Sequence, residues 1–396
     1  CYIRIKFTLV ASVLSKIKML QLNVRADDGF ITYLNGTKIA EQNAPANPQW
    51  NSTATAIQEA GEPVIHDVSP FIDQLVVGEN LLAIHGLNES TASSDFLITA
   101  ELVGATAGGD AFDSSNLPLV FVNTFGQTIP NDVRIVAEMG IIDNGPGHNN
   151  SPMDPFNDYH GRISIEVRGS TSVGFPKQQY SVETQDSLGE NLNVELMGLP
   201  PENDWILHAP YSDKSLMRNV LIYRLARDLG WYATRTKYCE LFLNGDYRGV
   251  YVLMEKIKRD KNRVDIATLT PDLAGDPLTG GYIFKIDKEP WKPGWESHYP
   301  PFPHSNKVIK YQYHYPEADD IMPAQRDYIK GFMDEFEDVM AGDLFADPTS
   351  GFAKYIDVPS FVDFFILNEI AKNVDGYRLS TFMYKDRDDN GGKLTL

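Results

Sequence analysis

The dipeptides Asn35-Gly36 and Asn244-Gly245 constrain this chain most, because each interrupts a run of strand-like residues. Phe30 to Leu34 precedes the first, and Tyr238 to Leu243 and Tyr247 to Ile257 flank the second. Asn-Gly takes positive φ readily and matches the twist of a tight hairpin, so antiparallel β structure is expected in both halves. Around the first turn, Glu62 to Asp67, Asn80 to Leu87 and Asp95 to Leu102 add short strands at even spacing, the pattern of a β-sandwich.

After Gly104-Ala105-Thr106-Ala107-Gly108-Gly109 the pattern becomes mixed. Leu117 to Asn123, Arg162 to Arg168 and Gln179 to Glu183 alternate as strands. Leu216, Val220, Leu221, Leu225 and Leu229 repeat at helical spacing and predict a helix over Ser215 to Leu229, with Asp213 or Ser215 as cap and Gly230 as stop. Further helices are expected over Pro323 to Met340 and from Pro359 to about Lys372, with strands at Phe382 to Lys385 and from Lys393. The fold class is α+β: residues 1–20 a leader or fragment boundary, 21–105 a sandwich module, 106–116 a linker, and 117–396 a mixed α/β domain.

Length supports this division, since 396 residues exceed what one core usually organises. A net charge of −19 argues against nucleic acid and anionic membranes as partners, because phosphate surfaces are bound by a Lys/Arg surplus. Cys1 and Cys239 make neither a disulfide framework nor a zinc site. Phe7 to Leu14 is apolar, but no small-residue cleavage site follows, and no run is long enough to span a bilayer. The glycine loops, His-Arg-Asp and Asp-Phe-Gly of ordinary kinases are missing, as are the zincin and hydrolase signatures.

Four blocks carry a resemblance. They are Arg168-Gly169-Ser170-Thr171-Ser172 with Phe175-Pro176-Lys177 and Tyr180; Trp205-Ile206-Leu207 with Tyr211 and Asp213 to Asn219; Glu240 to Glu255 around Asn244-Gly245; and Asn368, Asp375 and Tyr384. In this order they resemble the CotH (spore coat protein H) family of atypical protein kinases. The resemblance implies a kinase-like fold that transfers phosphate from ATP, with Mg²⁺ or Mn²⁺, to Ser or Thr of secreted or coat-type bacterial proteins.

Such chemistry needs a cation on the phosphates, an acid to orient it, a carboxylate to accept the hydroxyl proton and a metal ligand. Lys177, after the Gly-Phe-Pro turn, is the first candidate for the cation. Arg168 is its rival or helper, and Gln178 stands where the family often has a second lysine. Glu255, closing an apolar strand, is the orienting acid, and a pair with Lys177 would satisfy both groups. Asp375 matches the family's catalytic aspartate, and Arg218 and Asn219 are supporting groups. The resemblance places the metal-binding aspartate in a segment expected past Leu396, with Asp375 the metal ligand otherwise at hand. The reading predicts that Lys177, Glu255 and Asp375 converge on one nucleotide cleft. Its alternatives are a nucleotide-binding scaffold without turnover and a carbohydrate-adhesion protein.

Other features admit weaker functional readings. Asp386 to Gly391 matches the opening of an EF-hand loop but also a hairpin turn. Trp291, Trp295 and Tyr299 lie in an aromatic loop that suits substrate contact or packing. The sandwich resembles galactose-binding-like and lectin-like modules, with Asp27, Asp28, Asn35 and His85 as polar candidates for glycan or calcium.

Overall fold

A computed structural model describes the chain except for residues 15–16, 62, 91–92, 94, 107–111, 273–274 and 289–290. Most of the proposed linker's glycine-rich stretch, 107–109, therefore lies outside the described residues. The chain forms two compact units. The first comprises Cys1–Val167, Gln185–Asn191 and Tyr238–Tyr251; the second comprises Arg168–Thr184, Leu192–Lys237 and Val252–Leu396.

The first unit begins with β1 (Tyr2–Leu9), the single-turn helix α1 (Ala11–Leu14), β2 (Ile17–Ala26), β3 (Gly29–Leu34) and β4 (Thr37–Gln42). β5 (Val64–Asp67), β6 (Gly78–Leu87) and β7 (Ile98–Thr106) follow. They form two sheets, ordered β1-β6-β3-β4 and β5-β2-β7. Part of the stretch set apart as a leader is thus β1, paired with β6 from Tyr2↔His85 to Leu9↔Gly78. Asn35 and Gly36 take φ of 48° and 92°, as the hairpin argument requires. Alternation along β2 buries Leu20, Leu22 and Val24 with Phe30, Leu34, Leu82 and Ile84, and turns Gln21 and Asn23 to the other face.

Next come β8 (Leu119–Asn123), β9 (Ile135–Ile142) and β10 (Tyr159–Arg168). β9 pairs antiparallel with both β8 and β10. β11 (Gln179–Thr184), β12 (Val194–Leu196), β13 (Leu199–Glu202), β14 (Asp204–His208) and helix α2 (Arg218–Asp228) lead to β15 (Thr236–Leu243) and β16 (Asp246–Glu255). Leu119–Val122 of β8 pair in parallel with Glu240–Leu243 of β15. α2 starts three residues later than its periodicity suggests, because Leu216 has φ of 60°, outside the helical region.

In the second unit β14 pairs antiparallel with β11 and with the end of β16, Trp205 opposite Glu255. The rest is a sheet of β17 (Tyr282–Ile286), β18 (Gly294–Glu296), β19 (Lys310–Tyr315), β20 (Thr381–Lys385) and β21 (Leu394–Thr395), ordered β18-β19-β17-β20-β21. Helix α3 (Pro323–Ala341) packs Ile329 and Met333 onto a core with Tyr282, Phe284 and Tyr311. Trp295 joins that core 5.2 Å from Phe284, so this member of the aromatic loop packs inward, whereas Trp291 is exposed. Helix α4 (Val358–Ala371) is capped by Asp357, whose Oδ1 accepts from Ser360 N at 3.0 Å. The chain is mostly β with few helices and several antiparallel sheets, in keeping with an α+β class.

Candidate functional site

The densest set of candidate residues in the second unit surrounds the turn after β10. Gly169 follows Arg168 with φ of 117°, and a β-carbon there would overlap the Ser172 hydroxyl. A 3-10 turn, Thr171–Gly174, then carries the chain to Lys177 and β11. Ser172 Oγ accepts from Gln179 Nε2 at 2.8 Å, and Gln179 Oε1 lies 3.1 Å from His208 Nδ1. His208 Nε2 lies 3.4 Å from Asn219 Nδ2 in α2. This chain assigns the tautomer: Nδ1 donates to Gln179 and Nε2 accepts from Asn219.

Burial pushes the His208 imidazole down to about 4, with Arg168 and Lys177 adding to the fall and Asp213 opposing it. Arg168 and Lys177 therefore both help keep this imidazole neutral. Arg218 stands at the start of α2 with its backbone N–H on Asp213 Oδ2 at 2.9 Å and its guanidinium exposed to solvent. Burial raises the Asp213 pKa, but the hydroxyl and amide of Ser215, the amide of Arg218 and its charge outweigh it, so the carboxylate is favoured.

Glu255 does not pair with Lys177. Its fully buried carboxylate accepts from Arg235 Nη1 at 2.7 Å and Arg235 N at 2.9 Å, with Arg263 Nε 4.0 Å away. A buried acid demands a nearby partner, and Arg235, the residue just before β15, supplies the charge through its guanidinium and a second donor through its backbone amide. Lys256 and Lys258 belong to the same ionic lattice. Lys256 Nζ lies 3.0 Å from Asp204 Oδ1, and Lys258 Nζ reaches Glu202 Oε1 at 2.7 Å and Asp204 Oδ2 at 2.8 Å. Burial raises the Asp204 pKa, yet the two lysines hold it at about 2. Sequence reasoning missed Glu202, Asp204, Arg235, Lys256, Lys258 and Arg263. The one local signal was the charge run on either side of Ile257, whose partners are distant in sequence.

Asp375 lies in the loop after α4, exposed, with Oδ1 2.7 Å from Arg378 Nη2. Neither Lys177, Arg168 nor Glu255 is its partner, so the expected three-way convergence is not made by direct contact. Tyr377 and Ser380 hold φ of 71° and 49°, a conformation non-glycine residues adopt at a cost. The loop does approach the Gly169 turn through an intermediary. Ser380 Oγ lies 3.4 Å from Asp287 Oδ1, and Lys288 Nζ donates to Thr171 Oγ1 at 3.1 Å. Asp287 itself is held by Lys285 at 2.8 Å.

The secondary candidates are largely occupied within the fold. In the EF-hand-like stretch, Lys385 Nζ donates to Asp388 Oδ1 at 2.8 Å, while Asp386 Oδ1 accepts from Ala267 N and Arg387 N. A lysine thus sits where a calcium ion would need oxygen ligands. Asp28 accepts from Gln58 N and Glu89 N, the Asn35 amide bridges Gln74, Asn80 and Leu81, and His85 stacks on Tyr2 at 4.4 Å. Asp27, Glu59 and Asp95 bring carboxylate oxygens within 4.8 Å of one another, and burial, Asp95 and Asp28 raise the Asp27 pKa. Among the described residues no comparable trio of metal-ligating side chains occurs in the second unit. Nor, among them, is any helix long and apolar enough to cross a membrane.

A model of the family described as CotH kinase protein matches residues 165–396, more than half of the chain. The chain belongs to this family. The match begins three residues before Arg168, so Arg168, Lys177, Arg218, Glu255 and Asp375 all fall within the CotH segment. No curated protein matches this CotH-family chain. Among solved structures, it is similar to a Streptomyces avermitilis α-L-rhamnosidase complexed with L-rhamnose, at 23% identity and a TM-score of 0.19, over 27% of this chain and 9% of that one. A β-D-mannosidase from Dictyoglomus thermophilum matches at 15% identity and a TM-score of 0.20, over 48% of this chain and 28% of that one. Scores this low establish no shared fold.

Proposed function

We propose that this CotH-family chain carries an atypical, kinase-like phosphotransferase site that uses ATP to phosphorylate Ser or Thr of a secreted or cell-surface protein. The observation that supports this reading is the tight Gly169 turn between Arg168 and Lys177, tied through Ser172 and Gln179 to His208, whose imidazole both cations help keep neutral. Two cationic side chains flanking one turn in sequence suit the oxygens of a polyphosphate, against the acidic balance of the chain as a whole. Gly169 lets the backbone come close, and the Ser172–Gln179–His208–Asn219 chain holds the turn against β14 and α2.

In this reading Arg168 and Lys177 hold the phosphate oxygens. Asp375 takes the proton of the substrate hydroxyl as the new oxygen–phosphorus bond forms, while the bond to the leaving nucleoside diphosphate breaks and its electron pair departs with that oxygen. The Asp375–Arg378 pair is exposed, so opening it for substrate costs at most about 1 kcal/mol. Mg²⁺ or Mn²⁺ fits less well. Asp375 is the one acid this reading offers it, short of an octahedral oxygen set.

The test is incubation of the chain with labelled ATP, Mg²⁺ and a Ser/Thr-rich acceptor protein, alongside direct nucleotide titration. Transfer that falls at least about 100-fold in Asp375→Asn, with nucleotide affinity kept, supports the reading. Loss of nucleotide binding in Lys177→Ala supports the assigned cation. Binding without transfer favours a nucleotide-holding scaffold, and no binding at all sinks both.

A further inference from the structure

The segment that links the Asp375 loop to the Gly169 turn is the end of β17, a strand flanked in its sheet by β19 and β20. Ile286 of β17 lies opposite Thr381 of β20, so Asp287 and Ser380 are the next residues along the same antiparallel pair. The Asp287 carboxylate is occupied on both oxygens. Oδ2 accepts from Lys285 Nζ at 2.8 Å, and Oδ1 accepts from Lys288 N at 2.9 Å and faces the Ser380 hydroxyl at 3.4 Å. Its carbonyl oxygen accepts from Gln312 Nε2 of β19 at 3.2 Å. Burial pushes the Asp287 carboxyl up, but Lys285 and the amides of Lys288 and Ser380 hold it below the usual carboxylate range. The backbone where Lys288 departs is therefore fixed from both neighbouring strands.

Lys288 itself is exposed, and its Nζ reaches Thr171 Oγ1 at 3.1 Å. Thr171 opens the 3-10 turn Thr171–Gly174, between Arg168 and Lys177 in sequence. The lysine thus crosses from one strand end to the turn that carries the two proposed phosphate cations. Its partner there is a neutral hydroxyl, and among the described residues no carboxylate pairs with the ammonium. An ammonium has three donors, so at least two remain for another acceptor. A phosphate oxygen offers the opposite charge that a hydroxyl lacks. Giving up one exposed bond to Thr171 for such a contact is a favourable exchange. Asp287, one residue earlier, touches the end of the Asp375 loop, so neighbouring residues address the two segments that phosphoryl transfer must bring together.

We infer that Lys288 is a third phosphate-binding cation of the nucleotide site, releasing the Thr171 hydroxyl and taking a phosphate oxygen when nucleotide enters. The inference rests on the phosphotransferase reading and adds to it a residue from a different strand, with a side chain free to move and a backbone that is not.

Calorimetric titration of the whole chain with ATP tests it, using Lys288→Met, Lys288→Arg, Thr171→Val and Lys177→Ala. Lys288 and Thr171 are both exposed, and thermal melting establishes that each variant is folded. Expected is a loss of affinity of tenfold or more, about 1.4 kcal/mol, in Lys288→Met, with Lys288→Arg and Thr171→Val within about threefold of the parent. Thr171→Val separates phosphate binding from a structural tie: were Lys288 needed only to hold the turn, removing its hydroxyl partner would weaken ATP binding as much as removing the lysine. That result, or an equal loss in Lys288→Met and Lys288→Arg, overturns the inference. So does unchanged affinity in Lys288→Met while Lys177→Ala loses binding, which leaves the nucleotide site standing without this residue. A parent chain that binds no ATP at millimolar concentration removes the site and this inference with it.

Discussion

Arg235 and Glu255 form an ion pair in which the acid is sealed from solvent and receives two bonds from one residue, the guanidinium at 2.7 Å and the backbone amide at 2.9 Å. Removing one side of such a pair strands the other. Glu255→Gln is expected to cost about 3–5 kcal/mol in chemical denaturation. A double-mutant cycle with Arg235→Met should show strong coupling, and one with Lys177→Met coupling within about 0.5 kcal/mol of zero. Coupling to Lys177 as large as that to Arg235 would restore the pairing first expected from sequence.

His208 gives the fold an acid-sensitive window. Its folded pKa of about 4 lies below the ordinary histidine value of 6.5, so between these pH values the unfolded chain binds the extra proton. Stability contributed by keeping this ring neutral is present above pH 6.5 and lost as pH falls toward 4. His314, also pushed to about 4 by burial, acts in the same window. Each contributes up to about 3 kcal/mol. Denaturation between pH 7 and 4 should show the loss, and His208→Gln should remove roughly half its slope; an unchanged slope would mean His208 is not held neutral.

A second window lies lower. Asp204 has a folded pKa of about 2 against an ordinary 3.8, so its contribution is present above pH 3.8 and lost as pH falls through 2. Asp204→Asn is expected to cost about 2 kcal/mol at pH 7 and to flatten the acid limb below pH 4. A variant as stable as the parent at neutral pH would show that Lys256 and Lys258 do not need this acid.

Gly169→Ala tests the turn that holds the two cations. The added methyl meets the Ser172 hydroxyl at a φ that disfavours any side chain, so a cost of about 1–3 kcal/mol is expected. Nucleotide affinity should fall in step, measured by titration at a temperature where the variant remains folded. Full affinity in a destabilised variant would separate this turn from nucleotide binding.

Local sequence signals located the elements well where a single segment supplied the reason. The Asn35-Gly36 hairpin, the strands β6, β8, β10, β11, β15 and β16, and the helices α3 and α4 follow from alternation, helical period and turn chemistry within a few residues of one another. The short strands β12, β13 and β18 escaped, because three or four residues are too few to establish a period. α2 was displaced at its start because a positive φ at Leu216 overrode an otherwise good periodic pattern.

The site divided along the same line. Arg168, Lys177, Arg218, Glu255 and Asp375 were legible as charged groups in family-like blocks, since a motif is read along the chain. Their partners were not. Arg235 for Glu255, Asp204 for Lys256 and Lys258, and His208 for the two cations lie 20 to 52 residues from the nearest group they serve. The sequence by itself determined the β-rich α+β character, the family and which residues carry charge. Only the tertiary structure decided which charges meet, because Coulomb energy and desolvation depend on distances and burial that are set once distant strands have found their register.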